Sequence, residues 1–205
     1  MKHYGLMFGL EKEFFVMPNG TEKQPVLVPN GIPKDACGYL AEARGLPHRS
    51  IEQAVYSLMA EEYRIETELE KLNLIADDVP VLKLPRELFI EAQRHNVKGL
   101  IAYNNLYGHN HHKNKQNEAI AAVHISITRP SYVTTDQNSK TTVNKNFDYV
   151  DIFRTLDKAF ADEIKAAKRL PGFYELKDDG RIEYRSLPSN VDLLKVIEVI
   201  NSIIK

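Results

Sequence analysis

The stretch Gly9-Leu10-Glu11-Lys12-Glu13-Phe14 decides how the rest of the chain is interpreted. It lies in a Phe- and Leu-rich segment, residues 4–17, which stops at the turn signal Pro18-Asn19-Gly20 and predicts a strand or one arm of a hairpin. Because side chains alternate between the two faces of a strand, Glu11 and Glu13 share one face and the flanking apolar residues lie on the other. The pattern therefore predicts a strand with one apolar face and one acidic face.

Three more predicted strands carry polar pairs on one face. They are residues 37–44, residues 119–128, and the second arm of a hairpin over residues 173–186 that turns at Asp178-Asp179-Gly180. Their polar pairs are, in that order, Glu42 and Arg44, His124 and Ser126, and Glu183 and Arg185. If the four strands share a sheet, one face of that sheet collects all these residues, and the other face packs on helices.

Apolar residues at helical spacing predict the helices. Ser50 is a suitable N-cap, and Gln53 three residues later completes a capping-box pattern. The helices are expected over residues 50–72, 86–96 and 147–170, with a last one capped by Ser189 or Asn190 and packed through Leu194, Ile197 and Ile200. This order of elements predicts an α+β fold in a single domain over residues 1–205, with a mostly antiparallel sheet and helices on one face.

The composition argues against several classes of protein. The chain has 205 residues, of which 43% are hydrophobic, and its 27 basic and 28 acidic residues give a net charge of −1. The balanced charge argues against a nucleic-acid-binding protein, and a single cysteine, Cys37, excludes a disulfide framework. No apolar run reaches the roughly 18 residues that span a bilayer, and the N-terminus is a poor signal peptide. A cytoplasmic protein without a membrane partner is therefore expected.

The polar face predicts a site for a divalent cation. Four carboxylates on one concave surface repel one another and raise one another's pKa values unless positive charge lies among them. Arg44 and Arg185 offset half of this charge, and a divalent metal would offset the rest. Carboxylates with one imidazole, that of His124, suit Mg²⁺ or Mn²⁺. The alternative interpretation is a solvated sheet face, on which cross-strand Glu/Arg pairs each contribute roughly a few tenths of a kcal/mol.

Other candidate sites have weaker support. The polar run over residues 108–117 contains His109, His111 and His112, but without a neighbouring cysteine ligand we interpret it as a solvated loop, which could close over a bound nucleotide. Cys37 is interpreted as a small buried hydrophobe. The chain contains neither a P-loop nor a Gly-x-Gly-x-x-Gly motif, which disfavours those two modes of nucleotide binding.

The ordered motifs resemble a known family. Residues 9–14 are similar to the Gly-x-Glu-x-Glu-Phe opening strand of the carboxylate–amine ligases of the glutamate–cysteine ligase and glutamine synthetase superfamily. Val123-His124-Ile125-Ser126-Ile127 resembles the family's His-containing strand, and Ile182-Glu183-Tyr184-Arg185-Ser186-Leu187-Pro188 resembles its late Glu-x-Arg strand. The chain is most similar to the small phage-type COOH–NH₂ ligase branch, and its motifs run in the family order from residue 9 to residue 188.

The resemblance implies a glutamine synthetase-like catalytic core that holds ATP and two or more Mg²⁺ (or Mn²⁺) ions. In that family a substrate carboxylate attacks the γ-phosphate to give an acyl phosphate, and an amine then displaces phosphate to form an amide. The implied metal ligands are Glu11, Glu13, Glu42, Glu183 and His124. The implied nucleotide-binding residues are His124, Ser126 and Arg185, while Arg185 also steadies the transferring phosphoryl group and Arg44 binds phosphate or the substrate carboxylate.

The chain departs from the family pattern in two respects. It is shorter than the larger members, and Ser126 stands where many relatives carry a second polar ligand such as His or Asn. A catalytically silent binding protein on the same scaffold is therefore an alternative, and a metal-dependent phosphoesterase that uses the same carboxylates is a third. The ligase interpretation implies a small-molecule carboxylic acid and an amine as substrates. A homo-oligomer is also left open, because related enzymes often build sites at subunit contacts.

Overall fold

A seven-stranded antiparallel sheet organises the chain. A computed structural model describes residues 5–20, 24–35, 38–88, 90, 104–109, 118–128, 149–177 and 180–204. The sheet contains β1 (Met7–Pro18), β2 (Leu40–Arg44), β3 (Leu74–Asp77), β5 (Asn104–Asn105), β7 (Ala122–Thr128), β8 (Phe173–Leu176) and β9 (Ile182–Pro188), while β4 (Val81–Lys83) and β6 (Glu118–Ile120) form a separate two-stranded sheet. The strand order in the seven-stranded sheet is β2-β1-β7-β9-β8-β5, and β3 pairs with β1 beyond the end of β2.

The helices pack on one face of this sheet. They are α1 (Ile51–Lys71), α2 (Tyr149–Ala159), α3 (Ala161–Ala166) and α4 (Leu193–Ile204). Their buried residues join the apolar face of the strands in the main core, which includes Phe8, Leu58, Phe153, Tyr184 and Ile200. The α+β fold with a mostly antiparallel sheet is confirmed. Among the helices of the described residues, none combines the length and the apolar character of a membrane span.

Two sequence-based elements are each divided in the structure. The strand expected over residues 119–128 is two strands in different sheets, because the chain changes sheet at Ala121, whose N–H donates to the Pro80 carbonyl at 3.0 Å. The helix expected over residues 147–170 is divided at Phe160, which is fully buried and has φ −116° and ψ 24°. Apolar periodicity shows which face of a segment is buried, but it does not show where the segment bends or changes partner.

The last helix also differs from the prediction. It begins at Leu193, and the Asp192 carboxylate rather than Ser189 or Asn190 accepts an N–H of its first turn, that of Leu194 at 2.9 Å. The Ser189 hydroxyl instead donates to a carbonyl of the β3–β4 turn. The Leu194 side chain was expected in the core but is 56% exposed. Its neighbours Val196, Ile197 and Ile200 make the core contacts.

Some predictions fall outside the described residues. They concern Cys37, His111, His112, the turn residues Asp178 and Asp179, and most of the helix expected over residues 86–96. Residues 86–88 and 90 of that last segment are helical. The Ser50 cap of α1 is confirmed, because its hydroxyl accepts the Gln53 N–H at 3.3 Å.

A second apolar cluster covers one end of the polar face of the sheet. Phe15 and Met17 follow Glu13 on the same face of β1, and Leu40 precedes Glu42 on the same face of β2. These three side chains pack with Leu84, Ala119 and Ala121, which belong to the small β4–β6 sheet or flank it. No local sequence pattern marks that small sheet. Its packing explains why the carboxylates beside it are buried rather than solvated.

Lys12 is a buried cation on the helix side of the sheet. It lies between Glu11 and Glu13 in the chain, so its side chain points to the opposite face and pairs with Glu62 of α1. Its ammonium nitrogen is also 3.8 Å from an Asp78 carboxylate oxygen. The pairing with acidic partners explains how a charged residue is accommodated against the core.

Gly45 follows β2 where the chain crosses the backbone of α1. A Cβ at this position would lie 2.8 Å from the Leu58 nitrogen and 3.1 Å from the Ala54 carbonyl oxygen. Because both atoms belong to helix backbone, neither can move aside easily. We expect Gly45→Ala to lower the free energy of unfolding by roughly 2–3 kcal/mol in urea denaturation. Gly20→Ala, whose added Cβ meets nothing within 4 Å, is the control; equal losses in both variants would contradict the close approach.

Candidate metal centre

The register of the sheet brings the predicted polar residues onto one face. Glu11 lies opposite Arg44 on one side and opposite His124 on the other. Glu13 lies opposite Glu42, and Ser126 lies opposite Glu183. Directly paired residues of antiparallel strands share a face. The register therefore places seven of the eight predicted site residues on this face: Glu11, Glu13, Glu42, Arg44, His124, Ser126 and Glu183. The eighth, Arg185, joins them through its ion pair with Glu183.

His124 lies at the centre of this face and is only 3% exposed. Its Nδ1 is 3.8 Å from Oε2 of Glu11 and 3.7 Å from Oε1 of Glu183, while its Nε2 is 4.0 Å from Oε1 of Glu13. These distances are too long for hydrogen bonds. Within the part of the chain that the structure describes, Nδ1 has no hydrogen-bond partner. A buried polar atom without a partner is costly, by about 1–3 kcal/mol, and a ligand at this point would remove that cost.

Three side chains form a group that fits a divalent cation. One donor atom each from Glu11, His124 and Glu183 lies within 4.8 Å of the other two. Burial, reinforced by the positive charge of Arg185, holds the pKa of His124 well below its usual range. The imidazole is therefore neutral and offers a lone pair to a metal. Two carboxylates with one imidazole suit Mn²⁺ or Mg²⁺, and the identity of the metal stays a prediction.

Glu13 and Glu42 lie beside this group and not in it. Burial, with a further contribution from the Asp35 charge, raises the pKa of Glu13 to about 8. Burial also raises the pKa of Glu42, although the Arg44 guanidinium donates to its carboxylate at 2.7 Å and opposes the shift. Repulsion among carboxylates was expected to raise these pKa values, but burial under the second apolar cluster is the larger cause.

The raised pKa of Glu13 predicts a pH-dependent stability of the metal-free protein. The folded state binds the Glu13 proton more tightly than the unfolded chain does, so this stabilisation is complete below about pH 4.5 and is lost as the pH rises through about 8. In EDTA, we expect the free energy of unfolding to fall by roughly 3–4 kcal/mol between pH 5 and pH 8 because of this group. Urea titrations across this range should show a flatter profile for Glu13→Gln; identical profiles would contradict the assignment.

Two site residues on β8 and just after it were not predicted. The Glu175 carboxylate accepts a hydrogen bond from Arg185 at 3.3 Å and from Lys177 at 2.8 Å. Lys177 also lies 3.3 Å from Oε2 of Glu183. The signal was present in the sequence, because Glu175 and Lys177 repeat the period-two spacing of the other polar pairs in the first arm of the predicted hairpin.

A β-bulge and a third arginine position the end of β9. The register between β7 and β9 shifts, so that Arg185 and Ser186 both lie opposite His124. The Arg169 guanidinium donates to the carbonyls of both residues, to that of Ser186 at 3.0 Å. Bulges of this kind redirect a side chain, and here the redirected group is Arg185, which pairs with Glu183. No local sequence signal marks Arg169, since its partners are backbone atoms.

Arg44 and Ser126 lie at the margins of the metal group. The Arg44 side chain is 63% exposed and its Nε is 3.9 Å from Oε1 of Glu11, so it lies at the open rim of the site. The Ser126 hydroxyl donates to Oε2 of Glu183 at 3.4 Å and thus contacts a predicted metal ligand.

No model of a known protein family matches the chain, and no curated protein matches it. A proposed function therefore rests on the chemistry of this site and on the resemblance of the ordered motifs.

Proposed function

We propose that the protein is an ATP- and Mg²⁺-dependent carboxylate–amine ligase. The observation that carries the proposal is the buried Nδ1 of His124, which lies without a hydrogen-bond partner in the described residues between the carboxylates of Glu11 and Glu183. This arrangement supports a divalent cation at that point. The adjacent Arg185 supports an anionic ligand beside the cation, and the ordered motifs that resemble the ligase superfamily supply the reaction class.

Each side chain has a defined task under this proposal. Glu11, His124 and Glu183 hold the cation, and bound Mg²⁺ neutralises charge on the polyphosphate of ATP. Arg185 binds the transferring phosphoryl group, for which positioning and neutralisation matter more than covalent help from the protein. Arg44 at the rim binds a carboxylate or phosphate oxygen pair through its planar guanidinium. Because these groups project from strands, their relative positions are rigidly held.

The reaction transfers a phosphoryl group and then displaces it. A carboxylate oxygen of the acid attacks the γ-phosphorus, and ADP leaves. The amine nitrogen then attacks the acyl carbon, phosphate leaves, the nitrogen loses a proton and an amide forms. Water would hydrolyse the acyl phosphate, so the reaction needs a site that excludes water. The burial of Glu13, Glu42 and His124 supports this requirement.

The direct test is ADP release in a screen of amino acids with hydroxylamine as the amine. The proposal expects release that requires Mg²⁺, an acid and the amine together, and formation of the acid's hydroxamate. Glu11→Gln should abolish it. Release of phosphate from p-nitrophenyl phosphate without ATP would instead favour a phosphoesterase. No ADP release with any acid would contradict the ligase.

A catalytically silent binding protein is the second candidate. The observation that favours it is the pairing of Glu183 with two cations, Arg185 and Lys177, which offset its charge without a metal. This candidate predicts a folded protein that binds no ATP analogue in the presence of Mg²⁺. It is therefore separated from the ligase by a binding measurement, even before any substrate is known.

A further inference from the structure

Lys177 reaches the metal centre from the end of β8. Its Nζ lies 2.8 Å from Oε2 of Glu175 and 3.3 Å from Oε2 of Glu183. Arg185 contacts the same two carboxylates, with Nη1 3.3 Å from Oε2 of Glu175 and a hydrogen bond to Oε1 of Glu183. Two cations therefore share two carboxylates, and the charges of these four side chains sum to zero.

Glu183 has two competing roles in this arrangement. Its Oε1 is the oxygen that Arg185 contacts, and it is also the oxygen 3.7 Å from Nδ1 of His124. Its other oxygen, Oε2, is near Lys177. A divalent cation held by Glu11, His124 and Glu183 would take Oε1 and would place two more positive charges beside Arg185 and Lys177. Like charges at this distance repel strongly in a buried site.

We infer that Lys177 and Arg185 form an anion-binding pair that Glu175 and Glu183 hold closed until a divalent cation takes Glu183. The anion is a phosphoryl group or a carboxylate, since both offer oxygens to an ammonium and a guanidinium side by side. This inference rests on the proposed metal centre and adds to it the residue Lys177 and a coupling between cation and anion. Because binding couplings are reciprocal, the anion strengthens metal binding by the same factor by which the metal strengthens anion binding.

The structure makes an unusual prediction for the variant Lys177→Met. Lys177 repels a metal in the absence of an anion and holds the anion once the metal is present. Its removal should therefore tighten metal binding in the first condition and weaken the coupling in the second. Replacement of a residue that only stabilised the fold would not strengthen metal binding and weaken the coupling between metal and anion. The Lys177 side chain is 26% exposed. Methionine at this position keeps an unbranched apolar side chain of similar length and removes the ammonium group.

The experiment is a titration of Mn²⁺ into the full chain, in which the electron paramagnetic resonance signal measures free Mn²⁺. It is carried out under three conditions: without added anion, with inorganic phosphate and with acetate. A protein-free titration corrects for Mn²⁺ bound by the anions themselves. For the wild-type protein we expect about tenfold tighter Mn²⁺ binding with phosphate, acetate or both, and the effective anion identifies the class. For Lys177→Met we expect binding several-fold tighter than wild type without anion and little further gain with it.

Lys195→Met is the matched control. Lys195 also pairs with a glutamate, Glu163 at 2.7 Å, but it lies on α4 on the helix side of the sheet. It should behave as the wild type does in all three conditions. The inference would be overturned if Lys177→Met bound Mn²⁺ no more tightly than the wild type without anion. It would also be overturned if an anion tightened Mn²⁺ binding by the variant as much as by the wild type. Neither result would contradict the proposed metal centre. A wild-type protein that binds no Mn²⁺ would overturn both.

Discussion

Glu11→Gln is expected to weaken Mn²⁺ binding by about 100-fold or more, because loss of a partner outside the ligand shell already costs 10–100-fold. The variant replaces a charged ligand with an amide and leaves His124 and Glu183 in place. The Glu11 side chain is 23% exposed, so the amide can remain hydrated and the protein should fold normally. Titration of Mn²⁺ measures the affinity, and circular dichroism on the same samples measures whether the variant is folded.

Glu163→Gln is the control for this experiment, since it removes one carboxylate from a half-exposed ion pair with Lys195 on the helix side of the sheet. It should bind Mn²⁺ as the wild type does. Glu11 is a better residue to test than Glu183. The Glu183 side chain is 1% exposed, and its loss would remove one of the two carboxylates that Arg185 and Lys177 share. Normal Mn²⁺ affinity in Glu11→Gln would remove Glu11 from the proposed ligands.

Asp157→Ala is expected to lower the free energy of unfolding by roughly 3–5 kcal/mol. The buried carboxylate accepts hydrogen bonds from the hydroxyl of Tyr184 at 2.6 Å, the N–H of Gly172 at 2.9 Å and the hydroxyl of Tyr107 at 2.9 Å. Its removal would leave at least two buried donors unpaired. Tyr184 precedes the bulge of β9, so the same carboxylate also helps to fix the strand that carries Glu183 and Arg185.

Urea denaturation measures this effect, and Asp151→Ala on the exposed side of the same helix is the control. Asp151 lies in the first turn of α2, where a negative charge contributes at most about 1 kcal/mol through the helix dipole. A loss below about 1 kcal/mol in Asp157→Ala would mean that water or relaxation replaces these hydrogen bonds. A loss equal in both variants would contradict the role given to the buried carboxylate.

The parts of the fold that were predicted correctly are those with a strong local signal. The alternation around Glu11 and Glu13 predicted β1, and the Ser50 cap predicted the start of α1, because each depends only on neighbouring residues. The break at Ala121 depends on a contact with the distant Pro80, and the helix is divided at Phe160, whose ring is buried in core contacts. Local periodicity contains no information on those contacts, so both segments were predicted as single elements.

The candidate site follows the same division. Period-two spacing and the assumption of one shared sheet predicted that eight polar residues lie on one face. The register confirms this for seven of them, and the eighth, Arg185, lies in the bulge of β9 and contacts Glu183. The spacing did not distinguish the three donors gathered at His124 from Glu13 and Glu42, because that selection depends on side-chain directions and burial. Arg169 could not be found from sequence, since it acts on backbone carbonyls of a bulge that itself has no local signal.

The proposed function requires that the polar face binds ATP through a divalent cation. A calorimetric titration of a non-hydrolysable ATP analogue into the protein, first with Mg²⁺ and then with EDTA, tests this requirement. We expect binding with Mg²⁺, its loss in EDTA, and no binding by Glu11→Gln in either condition. Absence of binding by the wild-type protein with Mg²⁺, or equal binding in EDTA, would contradict it.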